Sequence, residues 1–351
     1  MKRKGNIYQK ICTLENCKEA IIKASKNKKY RKDVSHILNN TDKYALQLST
    51  ILKNKEYKPS LYIEKKIYDG ANKKERIIYK PKFYPDQCVH WALMLQIKPI
   101  LKKGMYDWSC AAIEGRGVHY GARHIRKILV RDRKNTKYCL KLDIKKYYPS
   151  INKELLKKKF RRLIKDYDVL NLIDSIIDSS ADGLPIGNFT SQWFANFNLQ
   201  DLDHYIKEQL KVKYYIRYMD DMVLFHRNKK ELHKIRIAVD EFLHKEGLRI
   251  KENWTLFKVD SRPIDFMGFR FYRGYTTLRR GIFLRMKRRI KRIYKKGKIT
   301  QNDAGAVMSY HGWITNSNSY KIHQKYVRPY INMKECKQVL KNQKKILKKD
   351  S

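Results

Sequence analysis

Asp220 and Asp221 follow Tyr218 and Met219 between two strand-like runs, residues 212–217 and 222–225. Adjacent carboxylates repel each other and depress strand pairing, so a hairpin turn that carries them gains from them when a cation sits nearby. The plain alternative is an Asp-rich turn held by its own side-chain-to-backbone bonds. A third acid shifts the balance. Asp143 ends a run in which Cys139, Leu140, Leu142 and Ile144 read as a buried strand, and a carboxylate at such a strand's end is poised for chemistry. Mg²⁺ takes octahedral oxygen ligands and keeps several waters, so one or two carboxylates plus substrate phosphates complete its shell. Two such ions, roughly 3.5–4 Å apart, would activate an attacking hydroxyl and stabilise a leaving pyrophosphate. Nucleotide polymerisation is that reaction.

The elements that must position these acids follow from periodicity. Residues 1–60 read as a basic helical extension, with Ala45-Leu46-Gln47-Leu48 and Ile51-Leu52 giving one apolar face before Lys58-Pro59. Two strand-like runs, residues 62–68 and 76–79, flank a loop at residues 69–72. Helices are expected around Val89 to Ile97 and, after the Gly-bearing residues 109–121, through Ile125 and Leu129. Beyond the Asp143 strand come helices at residues 153–164 and 170–177, then a loop at residues 183–188. A long helix follows over residues 189–210, with Phe194, Phe197, Leu199, Leu202 and Ile206 on its buried face. After the acid hairpin come a helix at residues 230–245 and a strand at residues 254–259. Strand, helices, hairpin, helix and strands in this order indicate an α+β fold.

From Gly274 the composition turns strongly basic, with Arg and Lys crowded around Ile282, Leu284, Ile290 and Ile293. Apolar residues at helical spacing argue for folded basic helices whose charges lie along a nucleic-acid backbone. Residues 334–350 read as a solvated basic helix.

The chain has 351 residues, 42% of them hydrophobic, which suits a packed core of two or three subdomains. Lys and Arg number 80 against 34 acids, a formal charge of +46, which favours a polyanionic partner. The alternative is that part of that imbalance reflects lysine usage in an AT-rich genome. No apolar run reaches about 18 residues and no signal-like segment opens the chain, so the expectation is a cytoplasmic protein without a membrane partner. The six cysteines lack zinc-like or disulfide-like spacing and read as reduced thiols, and no His/Cys/acid constellation surrounds His204, His233 or His244.

Four ordered blocks resemble reverse transcriptases, from about Arg76 to Phe271. Leu142 to Tyr148 is similar to the first catalytic block, Gly183 to Gln192 to the template and nucleotide block, Tyr218 to Asp221 to the second catalytic block, and Phe266 to Phe269 to the primer grip. The resemblance implies a right-hand polymerase fold with an antiparallel palm sheet. On this reading residues 1–60 are the N-terminal extension and residues 61–135 the fingers. Residues 136–273 form the palm, with fingers insertions at about 150–185, and residues 274–351 a basic helical thumb and tail. It also implies Asp143 and Asp220 as principal ligands of two Mg²⁺ ions, Asp221 as a peripheral acid, and Ile144 beside them in the metal site. Tyr148 falls at the steric-gate position that favours deoxynucleotides, a core tyrosine being the alternative. Arg76 matches an arginine that contacts the incoming triphosphate, a ligand that suits a guanidinium fork, with Lys65 or Lys66 assisting. Ile186, Gly187 and Gln192 fall in the nucleotide site; Met219, Phe266, Met267 and Gly268 on the template and primer side. Arg116 resembles the end of a basic template-binding motif, although Ile113 stands where an arginine is usual. Lys251 is the candidate general acid for departing pyrophosphate, with a solvated lysine as the alternative.

Ile186 before Gly187 and Gln192 after Ser191 depart from the commoner pattern of glutamine before the glycine and proline after the serine. This variant is similar to the reverse transcriptases of diversity-generating retroelements. Isoleucine cannot replace an amide that orients template base and nucleotide, and loss of one such contact removes about 1–3 kcal/mol of discrimination. A packing swap without consequence is the alternative. The resemblance implies error-prone, adenine-directed copying of a template RNA into cDNA from deoxynucleoside triphosphates, with an accessory variability protein. No RNase H or endonuclease segment is recognisable, so strand removal and target cleavage are expected of other factors. The rival readings are a defence-associated or group II intron-like reverse transcriptase and a non-enzymatic RNA-binding scaffold.

Overall fold

A computed structural model describes residues 3–69 and 74–349; beyond Asp69, the expected loop at residues 69–72 lies outside the described residues. The architecture is α+β with antiparallel strand pairing in three sheets. Strands β1 (Ile63–Asp69) and β2 (Lys74–Lys80) form a two-stranded ribbon. Strands β3 (Tyr138–Asp143), β4 (Tyr214–Tyr218), β5 (Asp221–His226) and β6 (Thr255–Lys258) form a central sheet in the order β4-β5-β3-β6. Strands β7 (Ile264–Phe266), β8 (Phe269–Phe271) and β9 (Thr276–Leu278) make a short meander.

Side chains of a strand alternate between faces, and the central sheet divides two cores in this way. Leu140, Leu142, Met222 and Leu224 enter one hydrophobic cluster. Cys139, Val223 and Phe225 enter the other, together with Phe266, Phe269 and, from the basic region, Met286 and Ile290. Asp143 and Asp221 continue the second alternation, so both acids belong to the face turned toward β7–β9 and the basic helices.

The N-terminal residues share the first core. Ile21, Leu48 and Leu52 join the cluster that contains Leu140, and Asn16 Nδ2 donates to the Ala92 carbonyl at 3.1 Å. In helix Thr41–Lys53 the buried positions are Ala45, Leu48, Ser49 and Leu52, at helical spacing, while Leu46 stays 61% exposed. The expected run of adjacent apolar residues is therefore not one face.

Helices occur at Cys88–Lys102, Val118–Arg131, Lys153–Leu163, Tyr167–Asp178 and Lys229–Lys245. The single helix expected over residues 189–210 is broken. It consists of Phe189–Asn198, Gln200–His204 and a π-turn at Tyr205–Gln209, with Leu199 at ψ 2° between the first two. Side chains capture the carbonyls at the break: Lys159 Nζ donates to Asn198 O at 2.7 Å, and Arg217 donates to Asn196 O at 3.4 Å.

In the basic region, helix Arg280–Lys296 buries Ile282, Met286, Ile290 and Ile293. Met286 holds the core position that the sequence pattern assigned to Leu284. Helices Gln301–Thr315, Tyr320–Tyr326 and Met333–Lys349 follow, the first opened by a reciprocal Thr300–Asp303 capping box. All six cysteines are buried free thiols. No helix among the described residues is long and apolar enough to cross a membrane.

Candidate active site

Register brings the acids together. Antiparallel pairing of β3 with β5 sets Asp143 directly across from Asp221, although 77 intervening residues separate them in the chain. Strands β4 and β5 close on the pair Tyr218–Asp221, leaving Met219 and Asp220 as a two-residue turn. Met219 has φ +53° and Asp220 has no positive φ, the sign pattern of a type II′ hairpin, in which the first loop residue is ordinarily glycine.

Two lysines answer the negative charge. Lys251 Nζ donates to Asp143 Oδ2, while its backbone N–H binds the Asp143 carbonyl at 2.8 Å. Lys141 Nζ stands 3.8 Å from Asp221 Oδ1 and donates to the Asp265 carbonyl at 2.7 Å. Burial, and then the neighbouring Asp143 carboxylate, raises the Asp220 pKa to about 6. Burial raises Asp221 to about 7, against the opposing pull of Lys141.

Asp221 Oδ1 is buried without a hydrogen-bond partner, an arrangement that a hard cation would satisfy. Among the described residues no cluster of three or more His, Cys, Asp or Glu forms a ready metal cage. Open carboxylates of this kind suit an ion that completes its shell with water and phosphate oxygens. Ile144 is fully buried and bridged to Ile250, so it can offer an ion only its backbone oxygen.

Behind the turn lies a network absent from the sequence reading. Arg217, fully buried, donates from Nε and Nη2 to the two oxygens of Asp203 at 2.7 and 2.5 Å. Its Nη1 reaches Asn196 Oδ1 at 2.7 Å and the Met219 carbonyl at 3.1 Å. A charged residue amid the apolar run of β4 was the available signal.

The block at residues 183–192 is threaded against β2 and Tyr148. The Tyr79 N–H donates to the Ile186 carbonyl at 2.8 Å. Gly187, at φ +134°, passes so close that a Cβ would lie 2.1 Å from the Tyr79 carbonyl oxygen, which only glycine permits. Leu184 N–H donates to the Tyr148 carbonyl at 2.9 Å, and the Tyr148 hydroxyl lies 3.9 Å from Met219 Sδ. Tyr148 and Ile186 are half-buried, while Gln192 and Arg76 are exposed, Arg76 facing Ile67 across the ribbon.

The template and primer candidates are placed differently from one another. Arg116 turns inward, donating to the Tyr106 carbonyl at 2.8 Å and to Asp107 at 3.1 Å; its guanidinium braces its own loop rather than projecting toward a template. Phe266 and Met267 are buried in the second core, so these side chains pack and only the turn's backbone is left to meet a primer. That turn, Met267-Gly268, joins β7 to β8 between Phe266 and Phe269, with φ +49° and +81°. The Gly268 carbonyl accepts from Arg279 N–H at 2.9 Å, at the start of the first basic helix.

The chain is similar to known proteins. The Retron Ec73 reverse transcriptase of Escherichia coli is 30% identical over 212 residues, covering 56% of this chain and 64% of that protein. The Retron Se72 reverse transcriptase of Salmonella heidelberg is 26% identical over 165 residues, covering 46% and 41%. The match thus spans less than two thirds of either relative's length. Among solved structures, telomerase from Candida albicans bound to a fragment of telomeric RNA aligns with a TM-score of 0.48 at 12% identity, covering 82% of this chain and 61% of that one. The family model described as reverse transcriptase (RNA-dependent DNA polymerase) matches residues 63–271. Those residues hold the acid-bearing strands, the Arg217 network, the block at residues 183–192 and the Met267-Gly268 turn, and they are more than half of the chain: the fold is the right-hand polymerase fold, and the chain belongs to the reverse transcriptase family.

Proposed function

We propose that the protein is an RNA-directed DNA polymerase that extends a primer on a template RNA. The observation that carries this reading is the cross-strand pairing of Asp143 with Asp221 beside the Asp220 turn. Divalent ions, Mg²⁺ by the hardness of the carboxylate ligands, would supply charge neutralisation at the attacking hydroxyl and the leaving pyrophosphate. Asp143 and Asp220 would hold them, and Asp221 would add the oxygen that accepts no hydrogen bond. The rest of catalysis is positioning. Arg76 and Lys65 or Lys66 on the ribbon clasp the triphosphate; Tyr148 lies against the sugar; Ile186 and Gly187 line the base pair, with Gln192 beside them. Lys251, already paired with Asp143, is placed to give a proton to the departing pyrophosphate. The basic helices after Gly274 lie along the template–primer duplex.

Primer extension on RNA with Asp220→Ala tests the assignment: deoxynucleotide incorporation should vanish while RNA binding persists. Synthesis at the wild-type rate would reject it, and loss of RNA binding together with synthesis would favour the scaffold reading.

Two settings for this activity remain distinct. The similarity to retron reverse transcriptases supports the defence-associated reading. The Ile186 and Gln192 pattern supports error-prone, adenine-directed copying in a diversity-generating retroelement with an accessory variability protein. Incubation with the flanking noncoding RNA and four deoxynucleotides, followed by sequencing of the cDNA from wild type and Ile186→Gln, separates them. Errors concentrated opposite adenine and reduced by the glutamine favour diversification; identical spectra favour the retron-like setting.

A further inference from the structure

The acid-bearing turn has an unusual support. Its first residue, Met219, holds a positive φ without being glycine, a conformation that needs outside stabilisation. The support comes from Arg217, whose guanidinium is fixed before it reaches the turn. Asp203, fully buried on helix Gln200–His204, takes Nε and Nη2 as a bidentate fork and also accepts from the Tyr215 hydroxyl at 2.8 Å. Asn196, fully buried on helix Phe189–Asn198, takes Nη1 and is itself fixed by Ser109 Oγ at 3.1 Å and by donation to the Ala111 carbonyl at 2.7 Å. The backbone is pinned as well: Arg217 N–H donates to Trp108 O at 3.1 Å, and Cys110 N–H donates to Arg217 O at 2.8 Å. What remains of Nη1 is directed at the Met219 carbonyl.

We propose that Arg217 is a positioning residue that holds the Met219–Asp220 turn in the conformation presenting Asp220 beside Asp143. A core role alone requires no such bond: a buried ion pair can be exchanged for apolar side chains without loss of fold, whereas a charge-assisted bond to one carbonyl, roughly twice as strong as a neutral one, constrains the turn. Through Asn196 the same guanidinium joins the turn to the helix that follows the nucleotide block and to residues 109–111. The inference rests on the reading of Asp143, Asp220 and Asp221 as the cation-binding acids.

Arg217→Lys tests it, because an ammonium can stay opposite Asp203 but cannot serve Asp203, Asn196 and Met219 together. Mn²⁺ affinity, read by electron paramagnetic resonance on the protein–duplex complex, should weaken about tenfold, and kcat should fall about 30-fold with little change in KM for deoxynucleotide. Asn196→Ala, which leaves the ion pair in place, should shift both in the same direction by about three- to fivefold. Leu48→Ala, a core truncation on helix Thr41–Lys53 outside the central sheet, reports the effect of destabilisation alone and should leave Mn²⁺ affinity within about twofold. If a folded Arg217→Lys or Asn196→Ala protein binds Mn²⁺ as wild type does, or if Leu48→Ala weakens it equally, the proposal is overturned. Asp220→Ala keeps the two levels apart. Unchanged Mn²⁺ affinity there removes the acid-site reading, whereas a loss there with wild-type behaviour of Arg217→Lys removes only the role of Arg217.

Discussion

Two tight hairpins reach their shapes by opposite means. The turn at Met267-Gly268 uses glycine for one of its two positive φ angles, and its carbonyl is held by the backbone of the first basic helix. The turn at Met219-Asp220 uses methionine at its positive φ, and its carbonyl is held by a buried guanidinium. Glycine makes a conformation accessible, whereas a side-chain brace selects one. The Met267-Gly268 turn is thereby fastened to the basic helices: a Cβ on Gly268 would lie 2.7 Å from both Ile282 and Trp313. The acid turn is fastened to buried residues of the two helices before β4. A group that must meet a developing charge needs fixed coordinates, whereas a group that follows a sliding duplex must stay coupled to the element that travels with it.

The comparison breaks first at the acids themselves. Asp220→Ala should cut primer extension by at least about 10³-fold, a loss of about 4 kcal/mol of transition-state stabilisation, and a smaller deficit would place the chemistry elsewhere. Arg217→Met should lower folding stability by about 3–5 kcal/mol in urea titrations, since Asp203 is left buried and unpaired. A cost below about 1 kcal/mol would mean the brace is dispensable.

Gly268→Ala should cost about 1–3 kcal/mol, through its positive φ and the contact with Ile282 and Trp313. It should weaken template–primer affinity more than Mn²⁺ affinity; the reverse order would erase the distinction between the hairpins.

The pH response of the metal-free protein is a further contrast, because only the acid turn titrates. Asp220 at about 6 and Asp221 at about 7 lie above the ordinary carboxylate range, so the folded state binds more protons than the unfolded state between about pH 4 and 7. Their stabilising contribution is complete below the unfolded value and is lost as pH rises through about 6 to 7. The thermal midpoint should therefore drop by a few degrees between about pH 5 and 8 without divalent ions and recover when Mg²⁺ is added at pH 8. An Asp220→Asn, Asp221→Asn protein with the same pH profile would refute this origin. The smallest effect is expected from Met219→Gly, which should change stability by no more than about 1 kcal/mol, because relief of the positive φ offsets the added chain entropy. A larger loss would show that methionine's contacts, among them the one with Tyr148, matter more than its backbone.

Much of this site was legible before any coordinates. Asp143 at the end of an apolar strand-like run, the Asp220-Asp221 pair between two such runs, and the order of the motifs were readable from residue type alone. Less legible were the groups whose meaning depends on what lies across the fold. Arg116, read as a template contact, is tied to Tyr106 and Asp107, partners that no short spacing names. Phe266 and Met267, read on the primer side, are also buried in the second core. The helix expected over residues 189–210 breaks at Leu199 because Lys159 and Arg217 take carbonyls that the next turn would use.

Local chemistry was written in the sequence itself: three carboxylates, the glycines that allow close passage at Gly187 and Gly268, and a net charge suited to a polyanion. Those properties depend on residue type and short spacing alone. Tertiary structure decided which charges neutralise one another. The partners of Arg217 come from residues 196, 203 and 219 on three different elements, and Lys251 meets Asp143 across 107 intervening residues. A pairing energy depends on distance and desolvation, and neither exists for these groups until the chain has closed around them.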